Sequence, residues 1–379
     1  MKWIASSLLA IVLLVAAFIM RPPSGTLVVH EWGTITTRHA PDGTPQGRLN
    51  RIEPSETLPS FVHQYDPPPT RADPAKSTLK SPIGPGRPDV TMRLETPVIY
   101  FHPAGAPDPN RTFDVRVRFR GGVINEFYPS ADASVELDTA RIGAKLQTGL
   151  LRGWDGAVLN NYVLGELSWR GIALDAGGSL PATTNHVWLA PRAARSTSVK
   201  NGGGEAERYL FYRGVAHLDA LFQTTHGPDG VRLRAPRALH WMSGASMTVP
   251  RVWLLDVRAD GRSAFREHEK IVIDRSSAGA DLLTLAPLPE AEYGRDAIAA
   301  LRKSMKRSLV GAGLFDDEAE AMLETWRDSY FAAPGTRLLY IVPNEWTAYF
   351  LPLEISVPHT LRRVLVGRID LLDAETQSR

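Results

Sequence analysis

Residues 26–37 read TLVVHEWGTITT, and whether they form a helix or a strand decides what the His-Glu pair can do. A zinc-protease helix needs a second His four residues after the first, so that both imidazoles share a face. Position 34 is Thr. Gly33 and the β-branched run Thr34-Ile35-Thr36-Thr37 disfavour a helix and suit a strand. On a strand, successive side chains point to opposite faces, so His30 and Glu31 diverge and cannot chelate one metal as neighbours. A site that uses His30 must take its partners from distant parts of the chain.

Upstream, Lys2 precedes an apolar run from Ile4 to Met20, broken only by Ser6 and Ser7. As a helix at ~1.5 Å per residue it spans about 26 Å, a little less than a ~30 Å hydrocarbon core. Trp3 and Arg21 flank it, as interface anchors do. Residues 1–22 therefore read as a signal anchor, with the lipid bilayer as its partner. Val15-Ala16-Ala17 offers the competing reading of a cleaved signal. Either reading places the body outside the cytoplasm, anchored to the inner membrane or secreted to the periplasm. The chain has no Cys, which removes disulfides, thiolate metal sites and Cys nucleophiles together. Only His, Asp, Glu and backbone oxygens remain as metal ligands. A net charge of +2 gives no field that would draw nucleic acid.

Downstream, residues 34–38 read as a second strand after 26–30. Order then fails between 40 and 89, where Pro67-Pro68-Pro69, Pro74, Pro82, Pro85 and Pro88 hold the backbone extended. It resumes at VTMRLETPVIYFH (90–102) and at FDVRVRFRGGVINEFYP (113–129). In the latter, Phe113, Val115, Val117 and Phe119 alternate with charged residues, and Gly121-Gly122 predicts a hairpin turn. Further strands are predicted over 162–169, 186–190, 208–214, 250–258, 262–273, 337–342, 353–357 and 362–370. Ile298, Leu301, Met305 and Leu309 fall on one helical face. A second helix starts at Asp316-Asp317, with Asp317 and Glu320 as its capping box and Ala319, Met322, Leu323, Trp326 and Tyr330 as its inward stripe. The division is a β-rich body over 23–285 and a helical pair with returning strands over 286–373, packed on the same body. The fold class is α+β, mostly β. It consists of antiparallel sandwich-like sheets with a C-terminal helical pair, preceded by an N-terminal transmembrane or signal helix.

No motif names a reaction. There is no GxSxG elbow, Walker loop or GxGxxG, and no cofactor is implied. Ser77-Thr78-Leu79-Lys80 matches SxxK, but prolines bracket it and its companion motifs are missing. The candidate catalytic residues are Glu126, Glu95, Arg213 and Arg327; the candidate metal ligands are His30 and His102. A strict two-residue turn at 121–122 puts Glu126 on the apolar side of its hairpin, where a carboxylate can act as a general acid. One more turn residue puts it opposite Arg118 in solvent. Glu95 lies beside Pro97, at an edge or bulge that can aim a side chain into a site. Arg213 and Arg327 are the arginines available to a carboxylate, and Arg327 has Glu324 and Asp328 close by. Trp32, Trp154, Trp169, Trp188, Trp241 and Trp253 would form either a stacking surface for sugars or core.

HEWGT, LETPVIYFH, GGVINEFYP, YLFYRG, ETWRDSYF and VLVGRID together resemble an uncharacterised family of exported bacterial proteins. The resemblance runs from residue 27 to 371. It implies one integrated unit and no particular activity. Two functions are therefore expected. One is a membrane-anchored extracytoplasmic binding or assembly protein of the cell envelope, acting on an envelope polymer or protein partner through an exposed apolar or aromatic patch. The other is an envelope hydrolase, metal-assisted, with at least three of His30, Glu95, His102 and Glu126 within about 6 Å of a common point.

Overall fold

The computed structural model describes residues 27–50, 57–65, 87–142 and 159–373. The leader, most of the proline-rich tract with its SxxK match, and Trp154 lie outside the described residues. Among the described residues, no helix is long and apolar enough to cross a membrane.

The protein is mostly β, 43% strand against 17% helix, in several antiparallel sheets. The strands are β1 (Leu27–His39), β2 (His63–Gln64), β3 (Met92–His102), β4 (Thr112–Arg120), β5 (Gly122–Tyr128), β6 (Asp132–Leu137), β7 (Val163–Leu174), β8 (Val199–Lys200), β9 (Ala206–Glu207) and β10 (Leu210–Ala216). They continue with β11 (Gln223–Gly227), β12 (Gly230–Arg234), β13 (Ser246–Val249), β14 (Val252–Val257), β15 (Ser263–His268), β16 (Ile271–Asp274), β17 (Asp281–Leu285), β18 (Gly335–Ile341), β19 (Leu353–Ile355) and β20 (His359–Leu371). The helices are α1 (His186–Arg192), α2 (Ala297–Ala312), α3 (Asp316–Thr325) and α4 (Asn344–Phe350).

Nine strands form one sheet in the order β15-β14-β18-β20-β1-β3-β10-β5-β2. A second sheet runs β19-β4-β7-β8-β9, with β6 also paired to β7. One core fills the space between them: Val29, Ile99 and Phe101 of the large sheet meet Val115, Val117, Leu167 and Trp169 of the smaller. The opposite face of the large sheet carries Trp32, Val98 and Tyr100, covered by Leu301, Met305 and Leu309 of α2 and by Ala319, Met322 and Leu323 of α3. Residues 27–39 are thus buried on both faces, and their central place explains why the run reads as strand with almost no polar alternation.

Several expectations change. The strand at 27–39 is continuous, and Gly33 marks a register break opposite β3 rather than a gap; a Cβ there would stand 2.9 Å from Cα of Pro97. The β1–β20 pair is parallel, Leu27 opposite His359 through His39 opposite Leu371, so the large sheet is not wholly antiparallel. The hairpin predicted at 113–129 does not form. Gly121, at φ +83°, turns the chain out of one sheet and into the other: β4 pairs β7 and β19, whereas β5 pairs β10 and β2. A turn glycine serves a hairpin and a sheet switch equally well. Residues 186–190 are helix rather than strand, because the Asn185 side chain accepts from the amide of Trp188 and caps the turn.

Candidate metal centre

The helix-covered face of the large sheet places two imidazoles side by side. Antiparallel register sets His30 opposite Tyr100 and His102 opposite Val28. Residues two apart on a strand share a face, so His30 and His102 are diagonal neighbours. Their ring centroids lie 5.2 Å apart. The strand parity holds for Glu31, which points into the other core and bonds Tyr212 at 2.6 Å and Arg363.

The third member comes from the helical pair. Gly313, at φ +121°, ends α2 and lets the chain reverse into α3. Glu318 sits in the first turn of α3, fully buried, and spans the two imidazoles. His30 Nδ1 is 2.6 Å from its Oε2 and His102 Nε2 is 2.8 Å from its Oε1. The amide of Phe315 also donates to Oε2, at 2.8 Å. The capping carboxylate is therefore Glu318, and the expected one, Glu320, instead pairs with Arg302 and Lys306 on the surface. Burial alone would raise the Glu318 carboxyl. The hydrogen bonds from His102 and His30 outweigh it and hold the group below the ordinary carboxylate range.

The ring of Phe315 lies 4.5 Å from His30 and 4.8 Å from His102, and Phe315 is 46% exposed. It forms the outer wall of the centre. One ligand atom from each of His30, His102 and Glu318 lies within 4.8 Å of the others. Two imidazole nitrogens and a carboxylate oxygen are a donor set suited to zinc, or to iron(II) in an open facial arrangement. The present spacing is that of hydrogen bonds. An ion at the ~2.0–2.2 Å bond lengths of zinc would replace their protons and spread the donors slightly.

The remaining candidates lie elsewhere. Glu95 is seven residues before His102 on the same strand, about 23 Å away at ~3.3 Å per residue. Arg93 bonds it at 2.6 Å. Glu126 is buried, as the tight-turn reading required, but by the sheet switch rather than by a hairpin. Arg213 faces it across β10–β5 at 3.4 Å and reaches Thr96 Oγ1 at 3.5 Å. So Glu126, Arg213 and Thr96 share one buried network, Glu95 pairs with Arg93, and the expected four-residue cluster does not assemble. Register breaks in β1–β3, β3–β10 and β10–β5 line up across this network, and Thr96 has φ +46°. Such strain is stored where the surroundings fix it firmly. Glu95 Oε2 has no hydrogen bond among the described residues. Arg327 is half exposed and pairs locally with Glu324 at 2.6 Å and Asp328 at 3.0 Å. Trp32, Trp169, Trp188, Trp241 and Trp253 are all buried and fill core.

No protein-family model matches the chain, and no curated protein matches it. Among solved structures, the chain has a faint similarity to the Fcho1 mu homology domain of Danio rerio with bound Eps15 peptide. The match has 8% identity over 92% of this chain and 96% of that one, with a TM-score of 0.21. A likeness of that size carries no argument about fold or function.

Proposed function

We propose that this chain is an extracytoplasmic protein of the cell envelope, delivered by its apolar leader, that holds a divalent metal ion of the zinc class at His30, His102 and Glu318 and uses it in hydrolysis. The observation that carries the reading is the meeting of those three donors, from β1, β3 and α3, within 4.8 Å. Three protein ligands leave a fourth position open to water or substrate, which is the pattern of hydrolytic rather than structural zinc. Bound there, the ion would supply Lewis acidity and a water of lowered pKa. The chain's own contribution is to orient the donors: the sheet register fixes both imidazoles, and the Phe315 amide fixes the carboxylate.

The binding-or-assembly reading has less support. It requires a broad apolar or aromatic patch. The large apolar side chains exposed among the described residues are Leu189, Val272, Val310 and Phe315.

Elemental analysis of protein purified without affinity-tag metal tests the reading. Close to one zinc, iron or manganese per chain is expected, falling to background in a His30→Ala/His102→Ala variant that keeps its far-UV spectrum. Folded parent protein that takes up none of these ions on dialysis against each would end it.

A further inference from the structure

Three neighbouring strands present Arg362, His30 and His102 on the helix-covered face of the large sheet. In the parallel pairing of β1 with β20, His30 lies opposite Arg362 and Glu31 opposite Arg363. Paired residues share a face, and successive residues alternate between faces. The bond from Arg363 to Glu31 lies on the inter-sheet side, so Arg362 and His30 point together toward the helices. Adjacent strands stand ~4.8 Å apart. Because β1 runs between β20 and β3, Arg362 flanks His30 on the side away from His102.

The loop that joins α2 to α3 agrees with this placement. A Cβ on Gly313 would stand 3.2 Å from Cδ of Arg362 and 3.8 Å from its Cβ, so the aliphatic stem of the arginine lies against that loop. Two residues on, Phe315 covers His30 and His102. Arg362 is nonetheless exposed. Its Nη1 donates to the carbonyl of Leu361 at 3.3 Å, and it has no ion-pair partner among the described residues. The other charges around the loop are already matched: Asp317 holds Arg195 at 3.0 Å and Asp316 holds Lys306 at 3.0 Å. The centre itself reaches solvent at His102, whose side chain is 14% exposed.

The geometry points to Arg362 as the specificity-determining residue of the metal centre: it selects substrates that carry an anionic group, carboxylate or phosphate, beside the bond presented to the ion. This rests on the metal reading above and adds the substrate class to it. A guanidinium takes either oxyanion by two parallel charge-assisted hydrogen bonds. A divalent ion held with the single carboxylate Glu318 leaves positive charge in excess, and Arg362 extends that field toward solvent. The stem packed against Gly313 also has less rotamer freedom left to lose when an anion binds.

The test is calorimetric titration of the full, zinc-loaded chain with three hydroxamates of matched length, one neutral, one ending in a carboxylate and one in a phosphonate. The hydroxamate takes the ion, so each compound reports what lies beside it. The titrations are run at about 0.15 M salt, which screens more distant charges. One or both anionic compounds should bind about tenfold more tightly than the neutral one, the effect of one charge-assisted contact of ~1.4 kcal/mol. The compound that gains more names the anion. In Arg362→Gln most of that advantage should be lost. An advantage that survives in the variant means that Arg362 is merely structural and overturns the assignment. Equal binding of all three compounds to the parent also overturns it, while leaving the metal reading in place. Zinc-loaded protein that binds none of them overturns the hydrolytic metal reading and this assignment with it.

Discussion

His30 Nδ1 lies 2.6 Å from Glu318 Oε2, although 288 residues separate them in the chain. The contact ties the first turn of α3 to the central strand of the large sheet, so it is structural before any ion enters. The Glu318 carboxyl is held below the ordinary range by His102 and His30 against the opposing effect of burial. A depressed carboxyl stabilises the fold above its unfolded value, near about 4.3, and loses that contribution as pH falls through the folded value. In metal-free protein, Glu318→Gln should lower the urea midpoint at pH 7. The gap to the parent should close as pH falls below about 5. A gap that stays constant from neutral to strongly acidic pH would show that the carboxylate's charge plays no part.

The periodic parts of this architecture could be read from the chain. Val115, Val117 and Phe119 alternate as a half-buried strand must, and Leu301, Met305 and Leu309 keep helical spacing, because each pattern is set by local geometry. What could not be read depends on contacts between distant residues. Gly121 permits a hairpin and a sheet switch alike, and only the neighbours of β4 and β5 decide between them. The parallel β1–β20 pairing joins the two ends of the described chain, where no local signal exists. Glu318 stands among Asp316, Asp317 and Glu320, four acids at a helix start, where any could face solvent. The one clue was position: Glu318 lies three residues after Phe315, as a capping carboxylate does. The two histidines were legible as suspects because a chain without Cys leaves imidazoles and carboxylates as its side-chain metal ligands. Their carboxylate was not.

The buried pair Glu126–Arg213 and the exposed pair Glu324–Arg327 invite a direct comparison. Removing one partner of a buried pair strands the other charge and costs about 3–5 kcal/mol. Losing an exposed pair costs about 0–1 kcal/mol. Glu126→Ala should therefore lower stability several-fold more than Arg327→Ala in urea titrations of the two variants. Similar losses in both would mean that Glu126 is solvated.

Gly367 faces Tyr340 across β20–β18, and a Cβ at that position would come 2.0 Å from the ring. Tyr340 is itself buried in the inter-sheet core and cannot swing into water. Overpacking of this kind costs about 1–3 kcal/mol, and more where the neighbour is pinned. Gly367→Ala should fall at or beyond the upper end of that range, whereas Gly171→Ala meets open space and pays only for its φ of +64°. A Gly367→Ala protein with the parent's melting temperature would place Tyr340 elsewhere.

His39 supplies the most direct pH prediction. It is buried at the end of β1, with Nδ1 2.6 Å from Thr224 Oγ1 and Nε2 lacking a hydrogen bond among the described residues. Burial, helped by the nearby His226, pushes its pKa down to about 4. The folded protein thus keeps His39 neutral while the unfolded chain protonates near about 6.5. Above that value the two states bind protons equally, and His39 imposes no penalty. As pH falls from about 6.5 to about 4 the unfolded chain gains the proton first, and stability declines by up to ~1.4 kcal/mol per unit, about 3 kcal/mol in all. Below about 4 both states are protonated and the decline from this residue ends. His39→Gln removes the titration but keeps a hydrogen-bonding side chain for Thr224. The variant should therefore lose less stability than the parent on acidification from pH 7.5 to pH 4.5. Urea unfolding of parent and variant at both pH values measures the difference. Parallel losses in the two proteins would mean that His39 protonates as readily in the folded state as in water.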